Sequence, residues 1–204
     1  MNIWQWLADL APAQATVLGT GLGAVLGFGT LAAGALLNAQ FNRRRDIFLH
    51  RMQQLNLLRS LTIEISQISS LVRHQLSLLH ADRGSNVDVS IINPSTLAVV
   101  YPNNLSQLHH LPPQTLIRVI PFYVGLWEHE YNVALCGGEK IGGHGELRSF
   151  TFGQQQIARV IELNEHLEAL CHQTLKVCWP VLQKMELELE GSANTIKETR
   201  EKGS

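Results

Sequence analysis

The hydrophobic pattern begins with a long stretch that carries no charge. Between Asp9 and Arg43 the sequence contains no Asp, Glu, Lys or Arg. Residues 16–37, TVLGTGLGAVLGFGTLAAGALL, would span roughly 33 Å as a helix rising ~1.5 Å per residue, and the hydrocarbon core of a bilayer is ~30 Å thick. The segment is apolar on every face, unlike a surface helix of a soluble domain. We therefore predict a transmembrane helix at 16–37 after a short extracytoplasmic segment, 1–15; the alternative is a buried core helix.

Beyond this stretch the apolar positions become periodic. They recur every three or four residues, which is typical of an amphipathic helix, at Phe48, Met52, Leu55, Leu58, Leu61, Ile65, Ile68, Val72, Leu76 and Leu79. No Pro or Gly interrupts residues 35–83, so the span and this stripe are expected to form one helix, with its membrane-proximal amphipathic part at 38–83. A turn at 83–86 is expected to end the helix.

The pattern over residues 84–190 predicts a helical domain. A second helix is expected to begin near Pro113, and its spacing predicts a buried face formed by Ile117, Ile120, Val124, Trp127, Tyr131 and Ala134. A third helix is expected from Thr151, which forms a capping box with Gln154. Its inward stripe is predicted at Val160, Leu163, Leu167, Leu170, Thr174, Cys178, Val181 and Met185.

The segments outside these helices lack a helical pattern. Residues 87–104 are expected to be a packed loop with one short extended piece and one helical turn. Residues 137–145, GGEKIGGHG, are expected to be a flexible loop, and the polar residues 191–204 a disordered tail. The predicted fold class is mostly α: one N-terminal transmembrane helix running into a small cytoplasmic helical bundle.

The charges that flank the apolar stretch predict its orientation. Residues 1–15 contain no Lys or Arg, while three arginines follow the span, Arg43, Arg44 and Arg45. A secretory signal peptide has the opposite arrangement, with positive charge before the apolar run. Because cytoplasmic flanks are enriched in Lys and Arg, we predict an outside N-terminus and a cytoplasmic segment 41–204. The three arginines are predicted to contact lipid headgroups.

Small residues are spaced regularly within the predicted span. Six of them recur every three or four positions and therefore share one helix face: Thr16, Thr20, Gly23, Gly27, Thr30 and Gly34. Small residues let helix backbones approach closely in lipid, and hydroxyl groups can hydrogen-bond across helices or line a narrow wet path. We predict that this face mediates self-association; the alternative is that Gly is simply common in membrane spans.

Charge is divided along the chain more sharply than its total suggests. The formal net charge is -1 at pH 7, so no nucleic-acid partner is expected, because such binding normally requires a strongly basic face. Residues 41–83 carry seven Arg and three acidic residues, a net +4, and residues 128–204 carry eight Lys and Arg and twelve Glu, a net -4. The basic segment is expected near anionic lipid. The acidic segment is interpreted as a solvated helix face or as a surface for a basic partner.

Nine histidines and three cysteines are the candidates for a metal or catalytic site. Glu162 and His166 are spaced i,i+4, as are Glu168 and His172, so the members of each pair face the same way. The sequence contains no His-Glu-x-x-His and no paired set of Glu-x-x-His. The cysteines form no Cys-x-x-Cys pair. We therefore predict no metal, no cofactor and no enzymatic activity; a membrane-tethered hydrolase with a bound metal is the alternative.

The order of these segments resembles that of small bacterial and phage single-span membrane proteins. The Gly-rich span is followed by FNRRRD at 41–46 and by YPNNLSQLHHLPPQTLIRVIPFY at 101–123. The resemblance covers residues 16–125 and brings no active-site residue with it. It implies a bacterial inner-membrane protein that serves a defence or toxin module.

Two functions from different classes fit these observations. The first is an effector that oligomerises through the Gly and Thr face and permeabilises the membrane when the cytoplasmic part senses a trigger. The second is a membrane-anchored helical adaptor that docks a cytoplasmic protein partner. In both cases the lipid bilayer is an expected partner.

Overall fold

The computed structural model describes residues 12–81, 89–136, 139–141 and 149–201. These residues are mostly helical, as predicted. The described helices are α1 (Pro12–Ala81), α2 (Val100–Asn103), α3 (Pro113–Leu135) and α4 (Gln154–Glu201). Two short 3₁₀ helices and three short strands complete the described part: Pro94–Leu97, Leu105–His110, β1 (Val89–Ile92), β2 (Glu139–Ile141) and β3 (Ser149–Phe152). The chain divides into two compact units, Met1–Arg51 and Met52–Ser204.

In the first unit, Met1–Arg51, the described residues belong to α1. Every side chain described between residues 16 and 50 is exposed, including Phe28 at 77% and Leu31 at 74%. A buried core helix would have these side chains covered, so that alternative does not describe residues 16–50 of α1. Within the described residues, α1 is the one helix long and apolar enough to cross a membrane, and none of its apolar window is buried.

The core of the second unit, Met52–Ser204, begins with the predicted stripe of α1. The stripe residues from Leu55 onwards are buried, and six of them have no exposed surface: Leu58, Leu61, Ile65, Ile68, Val72 and Leu79. The predicted stripe of α4 is also buried or half-buried at every position. The α4 stripe is therefore confirmed, and the α1 stripe is confirmed from Leu55 onwards; Met52 is half-buried, and Phe48 is exposed. Truncating one such fully buried Leu or Ile to Ala costs about 2–5 kcal/mol, so these positions dominate the stability of the unit.

Two ion pairs connect α1 to α4 in the second unit. Arg59 Nη2 lies 2.6 Å from Glu186 Oε1, and Arg73 Nε lies 3.0 Å from Glu168 Oε1. Because the later residue of α1 meets the earlier residue of α4, the two helices are antiparallel here. The chain's basic segment thus neutralises part of its own acidic segment. Half-exposed pairs of this kind contribute only about 0–1 kcal/mol each.

Helix α3 begins at Pro113, as predicted, but its buried face is not the predicted one. The side chains that pack inward are Thr115, Val119, Phe122, Tyr123, Leu126, His129 and Val133. The predicted set is exposed instead, with Ile117 at 70% and Tyr131 at 65%. Gly125 accounts for part of this choice, because a Cβ there would lie 2.7 Å from Leu170 Cδ1 of α4. The absence of a side chain at Gly125 lets α3 approach α4 closely.

The three strands form one antiparallel sheet in the order β1-β3-β2. Phe150 of the central strand β3 is paired with Ile91 of β1 on one side and with Lys140 of β2 on the other. Strand β1 and helix α2 confirm the short extended piece and the helical turn predicted in 87–104. The flexible loop predicted at 137–145 is wrong at Glu139–Ile141, which is a strand; its other residues, 137–138 and 142–145, lie outside the described residues.

Helix α4 differs from the prediction at both ends. It begins at Gln154 rather than at Thr151, which lies in β3 with its Oγ1 3.0 Å from Ser90 Oγ. The predicted capping box is therefore wrong; instead the Gly153 amide donates to Gln156 Oε1 at 3.0 Å. The helix runs to Glu201, into the segment predicted as a disordered tail, because residues 192–201 contain neither Pro nor Gly. The turn predicted at 83–86 lies outside the described residues.

Candidate functional site

Helix α1 carries the predicted association face on its exposed surface. We call this set the small-residue face: Thr16, Thr20, Gly23, Gly27, Thr30 and Gly34. A Cβ added at Gly23, Gly27 or Gly34 would meet no atom within 4 Å. Packing among the described residues therefore does not require glycine at these positions. An open surface of this kind can accept a second helix backbone at close range in lipid.

The threonine hydroxyls of the small-residue face are bonded within α1. Thr20 Oγ1 donates to the Thr16 carbonyl at 2.8 Å, and Thr30 Oγ1 donates to the Gly27 carbonyl at 2.9 Å. Such bonds satisfy a hydroxyl donor where water is absent. These two hydroxyls therefore keep acceptor lone pairs but have no spare donor. Close packing, rather than a ladder of donated hydrogen bonds, is what the face offers a neighbouring helix.

The predicted headgroup contacts lie just after the apolar stretch of α1. Arg43, Arg44 and Arg45 are exposed, and Arg45 Nε lies 3.8 Å from Asp46 Oδ1. Both partners of that pair are about 70% exposed, so the attraction between them is weak. Consecutive residues of a helix project about 100° apart, so the three guanidinium groups place positive charge on several sides of α1, where each suits a phosphate group. Contact of these arginines with lipid stays a prediction.

The histidine and cysteine candidates do not assemble into a chemical site in the part of the chain that the structure describes. No group of three or more His, Cys, Asp or Glu is placed there to hold a metal ion. Glu162 accepts from Arg159 at 2.6 Å, and Glu168 accepts from Arg73 at 3.0 Å. These two glutamates bind arginines, although sequence spacing places each beside a histidine.

Two cysteines are held in their neutral thiol form. Burial raises the pKa of Cys171 to about 12 and that of Cys178 to about 11. A cysteine nucleophile requires the thiolate, and reactive cysteines lie in exposed, electropositive surroundings. These two thiols therefore behave as small core side chains.

A buried carboxylate is the polar site that the sequence reasoning missed. Glu64 of α1 is 3% exposed. Its carboxylate accepts hydrogen bonds from the amides of Val99 and Tyr101, at 2.6 and 3.4 Å, from the Val100 amide and from the Tyr123 hydroxyl. A buried charge needs several donors to offset its lost hydration. Four donors from two other segments supply that compensation.

Aromatic rings pack beside the donors of this carboxylate. Tyr101 stacks on Tyr123 with ring centroids 3.9 Å apart, and Trp127 meets the edge of Tyr101 at 5.9 Å. Burial, and secondarily the Glu64 carboxylate, raises the pKa of the Tyr123 hydroxyl, which keeps the proton that it donates. The site therefore ties α1, α2 and α3 together as one polar anchor. The sequence contained one indication of this site: Glu64 lies three positions after Leu61, so an acidic residue occupies the apolar face of α1.

His129 is a second buried polar residue on α3. It is 5% exposed, and neither ring nitrogen has a hydrogen-bond partner among the described residues. Burial lowers the pKa of His129 to about 4, against the opposing influence of Asn164 and Glu130. The imidazole is therefore neutral at physiological pH and contributes to packing rather than to charge.

Comparisons with protein-family models, with curated proteins and with solved structures find no match to this chain. The surfaces described above are therefore the basis for a functional assignment. The first is the small-residue face of α1 with its three arginines. The second is the anchored helical core that Glu64 stabilises.

Proposed function

We propose that this chain is a single-pass protein of the bacterial inner membrane that oligomerises through the small-residue face and permeabilises the membrane. The observation that carries the proposal is the open state of that face. Six small residues lie on one side of an apolar helix, and none of the described residues occupies the space beside its glycines. In lipid such a face is a contact surface for a second copy of the same helix.

The charge order supports an outside N-terminus and a cytoplasmic helical bundle. Arg43, Arg44 and Arg45 would lie at the cytoplasmic surface, where anionic lipids attract each charge by ~1 kcal/mol. The second unit has a well-packed core and the size of a sensor domain. In this mechanism a trigger that binds the second unit changes how the spans pack, and the membrane becomes permeable.

The small-residue face can be tested with matched glycine variants. Gly23→Leu and Gly27→Leu add bulk to the face, whereas Gly21→Leu and Gly29→Leu add the same bulk elsewhere on α1 at sites that are equally open. We expect the first pair to abolish the loss of membrane potential that follows expression of the full chain, and the second pair to retain it. A voltage-sensitive dye in living bacteria measures the effect. If all four variants depolarise the cells equally, or if the wild type never does, the effector proposal fails.

The second candidate function is a membrane-anchored adaptor. It is favoured by one observation, the apolar side chains that α3 exposes on a well-packed unit, among them Ile117 and Tyr131. An adaptor needs its anchor only for location, so replacing residues 16–37 by an unrelated apolar span should leave its activity intact. For the effector, the same replacement should remove the depolarisation. Comparing the exchanged chain with the wild type in the same dye assay therefore separates the two functions.

A further inference from the structure

Helix α3 exposes a regular row of apolar side chains on the side opposite the core of the second unit; within this row Trp127 also meets the edge of Tyr101. We call this row the α3 stripe: Ile117, Ile120, Val124, Trp127, Tyr131 and Ala134. All six are exposed, and the neighbouring Leu135 is 66% exposed. The opposite face of α3 supplies the core, so turning the helix to bury the stripe would uncover Phe122 and Leu126. The stripe is therefore available to a partner without any change in the fold.

The undescribed segments that adjoin β1, α3 and β2 offer little to cover the α3 stripe. These segments are 82–88 before β1, 137–138 between α3 and β2, and 142–148 after β2. Their large apolar residues are one valine and one leucine. The remaining residues of these segments are polar or glycine. A strip of six apolar side chains needs an apolar counterpart of similar length, and none of these segments can supply one.

The spacing of the stripe indicates which kind of partner it fits. Successive members are three, four, three, four and three residues apart, which is the heptad repeat of a helix-to-helix seam. Taking ~150–250 Å² for an exposed aromatic side chain and less for an aliphatic one, the stripe and Leu135 expose on the order of 700 Å², close to the ~800 Å² per partner of a standard interface. A second helix with the same repeat would bury this surface.

The polar border of the stripe argues against a lipid surface as its partner. The polar residues beside it on α3 are Gln114, Glu128, Glu130 and Asn132. Helices that lie on membranes carry Lys and Arg along this border, because the headgroups are anionic. Here the border includes two glutamates and no basic residue, which anionic lipid would repel.

We infer that the α3 stripe is a self-association surface that packs against the α3 stripe of a second copy of this chain. Two-fold packing places each residue near the symmetry axis beside its own counterpart, and Val124 lies at the centre of the seam. The inference concerns the second unit and does not rest on the function proposed for α1. It adds a contact between copies outside the membrane span.

Thiol cross-linking of the full chain in isolated membranes tests the inference. Val124→Cys is introduced together with Cys136→Ser, which removes a half-buried cysteine near the stripe; Cys171 and Cys178 are buried and remain. We expect a short bis-maleimide to produce a covalent dimer. Arg118→Cys in the same background is the matched control, because Arg118 is exposed on α3 away from the stripe and should give no dimer.

Charge placed on the stripe should weaken the contact. Adding Ile117→Glu and Tyr131→Glu should reduce the Val124→Cys dimer by about tenfold or more, as expected for charges buried in an apolar seam. Leu187→Glu is the matched control, because Leu187 on α4 is 69% exposed and lies outside the stripe; it should leave the dimer unchanged. Resistance of the second unit to protease in each variant shows that the chain is folded.

The outcomes distinguish this inference from the function proposed for α1. A Val124→Cys dimer that persists with Gly23→Leu and Gly27→Leu supports the stripe, whatever happens to the membrane potential. Absence of a dimer in cells that still depolarise overturns the stripe and leaves the effector proposal intact. Equal cross-linking at residues 118 and 124, or cross-linking only to a different protein, also overturns it.

Discussion

Individual polar residues decide how the second unit is held together. Glu64 receives four hydrogen bonds, three from consecutive amides and one from Tyr123. The arrangement resembles the capping of a helix by a carboxylate, with the acceptor supplied from another helix. Removing the acceptor would take their partner from the Tyr123 hydroxyl and from the amides of Val100 and Tyr101, whereas removing one donor leaves the carboxylate with three. The Val99 amide also donates to the Leu97 carbonyl at 3.0 Å. The two kinds of change should therefore have very different costs.

We expect Glu64→Ala to lower the free energy of unfolding by about 3–5 kcal/mol, the usual cost of leaving buried partners of a charge unpaired. Tyr123→Phe should cost about 1–2 kcal/mol, because it removes one donor of four. Thermal unfolding of the full chain in detergent, followed by tryptophan fluorescence, measures both. Equal losses for the two variants would contradict the role of Glu64 as the shared acceptor.

His129 should make stability depend on pH. Its folded pKa of about 4 lies below the ~6.5 of an unfolded histidine, so the unfolded chain binds the proton more readily between these values. The contribution of His129 to the free energy of unfolding is therefore fully present above about pH 6.5 and is lost as the pH falls towards 4. Below that range the loss amounts to about 3 kcal/mol. His129→Gln should flatten this slope in unfolding measurements across pH 4–7. The exposed His172→Gln is the control, and an unchanged slope in His129→Gln would contradict the assignment.

At the scale of elements, the sequence predicts a helix more reliably than the face that the helix buries. The stripes of α1 and α4 were predictable because each helix has one apolar side. Helix α3 has two, and periodicity cannot choose between them. The choice depends on features that meet only in the fold: the gap at Gly125 that admits Leu170, and the hydroxyl of Tyr123 that reaches Glu64.

The strands show a second limit of the same kind. Strands β2 and β3 have three and four residues, which is too short for an alternating pattern to be distinctive. Their stability comes from pairing with residues far away in sequence, such as Ile91 with Phe150. The site at Glu64 was hidden for the same reason, since its donors lie 35 to 59 residues further along the chain. The position of Glu64 on the apolar face of α1 was the indication of this site in the sequence.

At the scale of the whole molecule, composition and charge order predicted an apolar N-terminal helix and a periodic helical remainder. The division of charge into a basic and an acidic segment has an internal consequence that the sequence did not reveal. Arg59 and Arg73 of α1 bind glutamates of α4, so complementary segments align two antiparallel helices. The arginines closest to the apolar stretch, at 43–45, take no part in these two pairs and are exposed.

The bonding of the threonines in α1 has a consequence for what an assembly of this helix would conduct. Thr20 and Thr30 use their protons within the helix, so their outward-facing atoms are oxygen lone pairs. Oxygen atoms without accompanying donors replace the hydration shell of a cation and offer nothing to an anion. If the proposed trigger turns this face from helix contact to a water-filled path, the path would favour cations over anions, and the expected depolarisation would be an inward movement of sodium ions or protons.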